Sequence, residues 1–389
     1  MPDRHIYLDH AATTPLAPQV AAAMAPWLDG AAVGNPSSLH AAGRRARAAV
    51  EDARDQVAAA LGVTPLEVLF TSGGTEADNT AIKGAVWAAA QEGRGTGVVT
   101  TAIEHHAVLD TVEWLHEHEG IDLAVVGLGS EGIVDPDRLL AAVDAQRGNG
   151  GTAVVSVMAA NNEIGTLQPL DVIGPALADR GVALHTDAVQ AVGKIALDLA
   201  AWHPMALALS AHKFNGPTGV GALVLRRDAA PHPLLHGGGQ ERGVRSGTLN
   251  VAGIVGLGAA VQLATGHQAT EATRLTGLRD QMIAAMTAVE GVTLNGHPTL
   301  RLPSHVHVAV PDVNAEALLL GLDRAGIACS TGSACQSGAA RRSHVLDAIG
   351  ALPAAAHLRF TLGVTTSAED VTAAGRAFTD CVTGLRQLV

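Results

Sequence analysis

Short apolar runs alternate with longer amphipathic segments through the first two-thirds of the chain. Strands read at Val68–Phe70, Val98–Thr101, Leu123–Val126, Ala153–Met158, Val182–His185, Ala206–Leu209 and Ala222–Leu225. Between them, helical periodicity covers Glu76–Ala90, Val108–Glu119, Pro136–Ala145 and Leu170–Arg180. Apolar strands separated by helices of this length imply βαβ units and a mostly parallel sheet covered on both faces. After about residue 255 the pattern changes. A helical segment from Ile254 to about Val289 leads to an alternating strand, Val306–Val310, and a helix, Ala315–Ala325. A small-residue loop, Ser330–Ala340, a strand, Leu358–Leu362, and a closing helix from Ala368 to about Leu388 complete the chain. The fold class is therefore α/β, with a second, smaller α+β unit. The expected division is 14–255 for the large domain, and 1–13 with 256–389 for the small one.

Composition narrows this picture. The chain has 389 residues, enough for two domains, and aromatics make up only 2%, so the core must rest on Ala, Val, Leu and Ile. The net charge of −12 argues against direct binding to nucleic acid or an anionic membrane, both of which require clustered Lys and Arg. The longest uncharged stretch, Ser246–Ala269, is interrupted by Asn250, Gln262, His267 and several glycines; it reads as a buried helix rather than a membrane span. Residues 1–10 carry no secretory apolar segment. The three cysteines, Cys329, Cys335 and Cys381, form no disulfide framework, and a reducing, cytoplasmic setting is expected. Eighteen histidines include His105-His106, His116/His118 and the strand pair His305/His307, but no set has the spacing of a zinc site, so no metal is expected.

In open α/β sheets the chemistry gathers beyond the carboxyl ends of the strands. Three such loops carry complementary groups. Thr71-Ser72-Gly73-Gly74-Thr75-Glu76 lets a backbone approach an anion closely and opens a helix N-terminus to it. By itself it could equally be a capped turn. Asp187, in His185-Thr186-Asp187-Ala188-Val189-Gln190, offers an acid at a strand end, a position where a helix cap is the commoner role. Lys213, in Ser210-Ala211-His212-Lys213, follows a buried strand, where desolvation favours a neutral, nucleophilic amine over the usual surface lysine. An anion cradle, an acid and a Schiff-base lysine together supply the handles for pyridoxal phosphate.

These motifs, with Tyr7-Leu8-Asp9-His10-Ala11-Ala12-Thr13-Thr14, Asn161-Asn162-Glu163-Ile164-Gly165, Arg245-Ser246-Gly247-Thr248 and Gly332-Ser333-Ala334-Cys335, resemble a group I (NifS/IscS-like) cysteine desulfurase with the class V aminotransferase fold. The likeness runs over nearly the whole chain. It implies a pyridoxal-phosphate-dependent transferase (aspartate aminotransferase-like) fold with a seven-stranded sheet. It implies that Lys213 holds the cofactor, that Gly74, Thr75, Ser210 and His212 contact its phosphate, and that Asp187 meets the pyridine nitrogen and Gln190 the phenolic oxygen. His105 would stack on the ring as a catalytic residue, Asn162 would contact the cofactor ring or the substrate carboxylate, Arg359 would take the substrate carboxylate, and Thr248 would reach the phosphate of a partner subunit in a homodimer with shared sites. The implied reaction takes sulfur from L-cysteine, leaves L-alanine, and places a persulfide on Cys335 for a protein acceptor, in iron–sulfur cluster assembly or in tRNA or other thiolation. Cys335 lies among Gly, Ser and Ala, a setting for a reactive thiol rather than a packing one; Cys329 and Cys381 sit in apolar surroundings and read as structural.

One segment departs from the family pattern. Where a Leu-Glu-Pro-Ser-like stretch is expected after the cysteine, this chain has Ala339-Ala340-Arg341-Arg342-Ser343-His344, which changes the charge offered to an acceptor. A related lyase or aminotransferase would use Lys213 and Asp187 without Cys335. A catalytically silent scaffold would have no need of any of them.

Overall fold

The computed structural model describes residues 5–147, 150–332 and 342–387. The chain opens with β1 (Ile6–Tyr7), α1 (Pro18–Leu28) and α2 (Ala41–Leu61). The periodicity reading had not foreseen these two helices. The second is rich in Ala and Arg, with Ala46, Val50, Ala53, Val57 and Leu61 on its buried face. It starts where His40 Nδ1 accepts the Gly43 N–H and ends at Gly62, whose φ of 69° is left-handed.

The alternating region then follows: β2 (Val68–Thr71), α3 (Gly74–Gln91), β3 (Gly97–Thr101), α4 (His106–Glu119), β4 (Leu123–Val126), α5 (Pro136–Gln146), β5 (Thr152–Ser156), α6 (Leu170–Ala178) and β6 (Ala183–Asp187). After α7 (Leu199–Trp202) come β7 (Ala206–Ser210) and β8 (Gly221–Leu225). Seven strands form one sheet in the order β2-β8-β7-β6-β5-β3-β4. Its neighbours are parallel except where β8 meets β2 and β7. Strands β2, β3, β7 and β8 are buried at every position, which is why they read as continuous apolar runs.

The helical segment expected from Ile254 to Val289 is two helices, α8 (Val251–Gly266) and α9 (Gln268–Thr287), which meet at His267. Ile254, Leu257, Ala260 and Val261 of α8 join the core of the large sheet. Glycines make this close packing possible: a Cβ on Gly258 would stand 2.9 Å from Ala53 Cα, and one on Gly256 would stand 2.6 Å from Met24 Sδ. By contrast α9 contributes Leu275, Met282 and Met286 to a second core, built with Phe360 and Phe378. That core belongs to an antiparallel sheet of β9 (Thr293–Leu294), β10 (His305–Val310) and β12 (Ala356–Thr361), in the order β12-β10-β9. Helices α10 (Ala315–Arg324), α11 (His344–Ala348) and α12 (Ala368–Arg386) and strand β11 (Ile327–Ala328) complete it. β1 pairs in parallel with β11, so the N-terminus is tied to the C-terminal unit.

Candidate active site

The carboxyl ends of β2, β6 and β7 open into one cavity of about 340 Å3, within the range of small-molecule sites. Its lining includes Gly74, Thr75, His105, Asn162, Asp187, Gln190, Ser210, His212, Lys213 and Arg359. Ten of the residues singled out from sequence thus converge, from the ends of five strands of the large sheet and one strand of the small sheet. Thr248 is exposed and lies outside this lining; Cys335 lies outside the described residues.

The cradle is built by α3. Its first residue, Gly74, sits so close to Val189 that a Cβ would stand 2.6 Å from the valine Cγ2. Glu76 fixes the turn: its Oε2 accepts the Ser72 N–H at 2.8 Å, and its Oε1 pairs with Arg245 Nε at 2.7 Å. The helix N-terminus is left facing the cavity, with Thr75 and Ser210 beside it. Asp187 ends β6 and does not cap a helix; its Oδ1 accepts the N–H of Val189 at 2.8 Å.

Lys213 stands in a tight turn after β7. Its Nζ donates to the carbonyls of Ala11 and Ala12, at 2.7 and 2.8 Å. The N-terminal segment therefore crosses the lysine loop, and further bonds hold it there: Thr14 Oγ1 donates to the His212 carbonyl at 2.8 Å, and His212 Nδ1 lies 3.1 Å from Thr13 Oγ1. Gln190 joins the same seam, donating to Ala11 O and accepting from Lys194 Nζ at 2.7 Å. Burial, with the charges of Lys213 and Arg359, brings Lys194 down to about 7. His212 falls to about 4 through burial and the same lysine pair.

His105 caps α4, its Nδ1 accepting the Ala107 N–H at 3.0 Å. Burial lowers its pKa, so the ring is neutral with Nδ1 already committed, and its proton is at Nε2. Asn161 fixes the adjoining turn by accepting the N–H groups of Glu163 and Ile164, which sets Asn162 at the cavity wall. Arg359 reaches in from β12, only 3% exposed. Its Nη2 pairs with Asp9 Oδ1 at 2.8 Å and its Nη1 donates to Asn162 O at 2.9 Å. Its Nε is buried without a partner. A fixed, buried guanidinium of this kind is the group that recognises a carboxylate.

Sequence reasoning missed four buried groups around this cavity: Asp78, Glu104, His185 and Lys194. Their pKa values are displaced, upward for Asp78 and for Glu104 to about 8, and downward for His185 to about 4, all chiefly by burial. An acid on the buried face of α3, one turn beyond the glycine pair, was the available signal for Asp78. The two cysteines read as structural do lie against the small-unit core, and burial pushes Cys329 up to about 12.

Residues 6–373 match the Aminotransferase class-V family. The chain belongs to this family. It is 46% identical over 373 residues to an IscS-like cysteine desulfurase of Mycobacterium tuberculosis, covering 95% of this chain and 94% of that protein. It is 44% identical over 371 residues to the cysteine desulfurase IscS of Dictyoglomus turgidum, covering 95% and 92%. A solved NifS-like protein superposes with a TM-score of 0.89 at 34% identity, over 98% of this chain and 100% of that one. The family cofactor, pyridoxal phosphate, fits the residues present. The glycine cradle at a helix N-terminus, from which a Cβ is excluded, suits a phosphate; the acid at the end of β6 suits a protonated ring nitrogen; and the amine of Lys213 suits a covalent link.

Proposed function

We infer that this chain is a pyridoxal-phosphate-dependent cysteine desulfurase, which removes sulfur from L-cysteine and leaves L-alanine. The observation that carries this reading is the convergence of Lys213, Asp187, His105 and Arg359 on one cavity, in a chain with near-full-length likeness to cysteine desulfurases. Bound there, the cofactor supplies an electron sink that acidifies the substrate Cα–H and weakens the bond from Cβ to sulfur. Gly74, Thr75, Ser210 and His212 would hold its phosphate, Asp187 its ring nitrogen and Gln190 its phenolic oxygen, and His105 would cover its ring.

The rest of the chemistry belongs to the side chains. Arg359 binds the substrate carboxylate through a guanidinium already oriented by Asp9 and the Asn162 carbonyl, so little ordering is left to be done on binding. Lys213 holds the cofactor and, once displaced, takes the Cα proton at Nζ. His105 Nε2, which carries the ring's proton, is the edge that can donate to the substrate sulfur, since Nδ1 is occupied. We assign the attack on sulfur to the Cys335 thiolate. A sulfur–sulfur bond forms, the Cβ–sulfur bond breaks, and its electron pair stays on carbon and is protonated on the way to alanine.

Two further assignments follow the same reading. The enzyme works as a homodimer in which Thr248 reaches the partner's phosphate site; its exposure, with that of Leu28, Val33 and Leu39, supports this. The persulfide passes to a protein acceptor or iron–sulfur scaffold in the cytoplasm; no described helix is long and apolar enough to cross a membrane. The chain divides into a sheet-bearing cofactor domain and a smaller C-terminal one joined by the N-terminal strand. Packing of α8 with the first core favours a boundary at His267 over one at residue 255.

The test is to incubate the purified protein with L-cysteine and a reductant, and to measure alanine and sulfide together for wild type and Cys335→Ala. Equal amounts from wild type, with both nearly lost in the variant, are expected. Product formation that survives the substitution would sink the role of Cys335, and no product from either form would sink the activity.

A further inference from the structure

Three buried carboxyl groups gather at the cavity, at 1%, 0% and 6% exposure for Asp78, Glu104 and Asp187: Asp78 and Asp187 line it, and Glu104 lies near enough to feel the charges of both. Among the described residues none of the three forms an ion pair with a lysine or arginine. Asp78 Oδ1 stands 3.3 Å from Nε2 of His185, itself fully buried, and neither atom has another polar contact. The opposite ring nitrogen, His185 Nδ1, lies 2.9 Å from Ser156 Oγ. Glu104 spends one oxygen on Thr101 Oγ1 and the Met158 N–H, and its other oxygen is buried alone.

Three ionised carboxylates in so dry a place would repel one another at a cost that rises with their burial. Building on the functional reading above, we propose that only Asp187 carries a charge: Asp78 and Glu104 are carboxylic acids, and Asp78 donates its proton to His185 Nε2 as a positioning residue behind Asp187. His185 then donates from Nδ1 to Ser156 Oγ, so the chain Asp78–His185–Ser156 is satisfied end to end without any net charge. The electrostatics agree. Burial and the charge of Asp187 both push Asp78 and Glu104 up, while burial holds His185 neutral. The other titratable groups lining the cavity are His105 and His212, both lowered mainly by burial, Lys213 and Arg359.

The arrangement has two consequences. His185 and Asp187 sit two residues apart on β6, and so project to the same face; Asp78 belongs to α3. The hydrogen bond therefore ties the strand that presents the ring-nitrogen partner to the helix that cradles the phosphate. It also leaves Asp187 as the single negative charge opposite the ring nitrogen, undiluted by a second carboxylate.

The experiment compares wild type with Asp78→Asn, which keeps a donor of the same shape, and Asp78→Leu, which keeps bulk and loses the donor. The purified proteins are examined by infrared spectroscopy for a protonated-carboxyl band near neutral pH. Their visible absorption with pyridoxal phosphate added is titrated with pH. The expected results are a protonated-carboxyl band that weakens in Asp78→Asn, and an absorption midpoint that matches wild type in Asp78→Asn but moves by about one pH unit in Asp78→Leu. Should Asp78→Leu fail to fold, Ser156→Ala takes its place, with a smaller shift in the same direction. A carboxyl band unchanged by Asp78→Asn, or an absorption midpoint displaced as far by Asn as by Leu, would overturn the proposal. The infrared result stands whether or not the protein binds pyridoxal phosphate, so a failure of the cofactor reading is seen separately, as absence of any absorption from bound cofactor.

Discussion

Two regions of this molecule bury polar groups, and they do so in different ways. At the carboxyl edge of the large sheet, Asp78, Glu104, Asp187 and His185 press together beside a cavity, and several of their atoms lack partners. In the small sheet, Asn295 Nδ2 lies 2.9 Å from His307 Nδ1 and 3.1 Å from His357 Nδ1, and His357 Nε2 lies 3.0 Å from Leu352 O. One amide therefore sets both rings in the same neutral tautomer, consistent with the lowering of both by burial. Among the described residues no carboxylate bonds to that row, although His307 Nε2 is buried without a partner. The first region holds displaced proton affinities next to space for a ligand, the mark of a functional site. The second uses its polar groups to specify a packing arrangement. Arg359 links the two, since it belongs to the small sheet and points into the cavity.

Three substitutions sharpen that contrast. The largest effect is expected at the link. Arg359→Lys loses the planar fork that meets Asp9 and the Asn162 carbonyl at once, and should raise KM for L-cysteine about a hundredfold while changing kcat far less. Steady-state kinetics decide it; a fall in kcat alone would separate Arg359 from substrate binding.

Asn295→Ala comes next. It leaves two buried imidazoles without their donor and should cost about 2 kcal/mol in denaturant unfolding, with kcat/KM for the folded enzyme close to wild type. Lost activity without lost stability would mean that the small-sheet row also serves the chemistry.

The smallest effect lies in pH. Glu104 is raised from 4.5 to about 8, so the folded state holds an extra proton between those values and stability falls as pH rises through that window. His10, His185 and His212 are lowered from 6.5 to about 4, so their contribution is lost as pH falls through that range. Lys194, lowered from 10.5 to about 7, works the other way above pH 7 and adds stability as pH rises. Relative to wild type, Glu104→Gln should gain about 1–2 kcal/mol between pH 6.5 and 8 and leave the loss below pH 4.5 intact. Thermal unfolding of both proteins across pH is the check, and an unchanged alkaline slope would show that Glu104 is not the group responsible.

Much of the fold could be read from the chain. The strands of the large sheet were legible because burial on both faces makes them continuous apolar runs, and the loops after them drew attention because that is where open α/β sheets bind ligands. Helices α1 and α2 escaped because they lie ahead of the strand–helix alternation that drew attention. The break between α8 and α9 escaped because neither helix has a marked apolar stripe whose end would show, and no proline stands at His267.

What the sequence determined by itself was the set of chemical groups: a lysine, an acid, an anion cradle and a histidine, each placed at the end of a strand or the start of a helix by local pattern. Only the tertiary structure decided which groups share an environment. Asp78 reads as an ordinary helix acid until α3 is laid against β6, and Ala11 and Ala12 are unremarkable until the N-terminal segment crosses the lysine loop and offers Lys213 their carbonyls. Proton affinity depends on burial and on neighbours distant in the chain, and those exist only once the chain has folded.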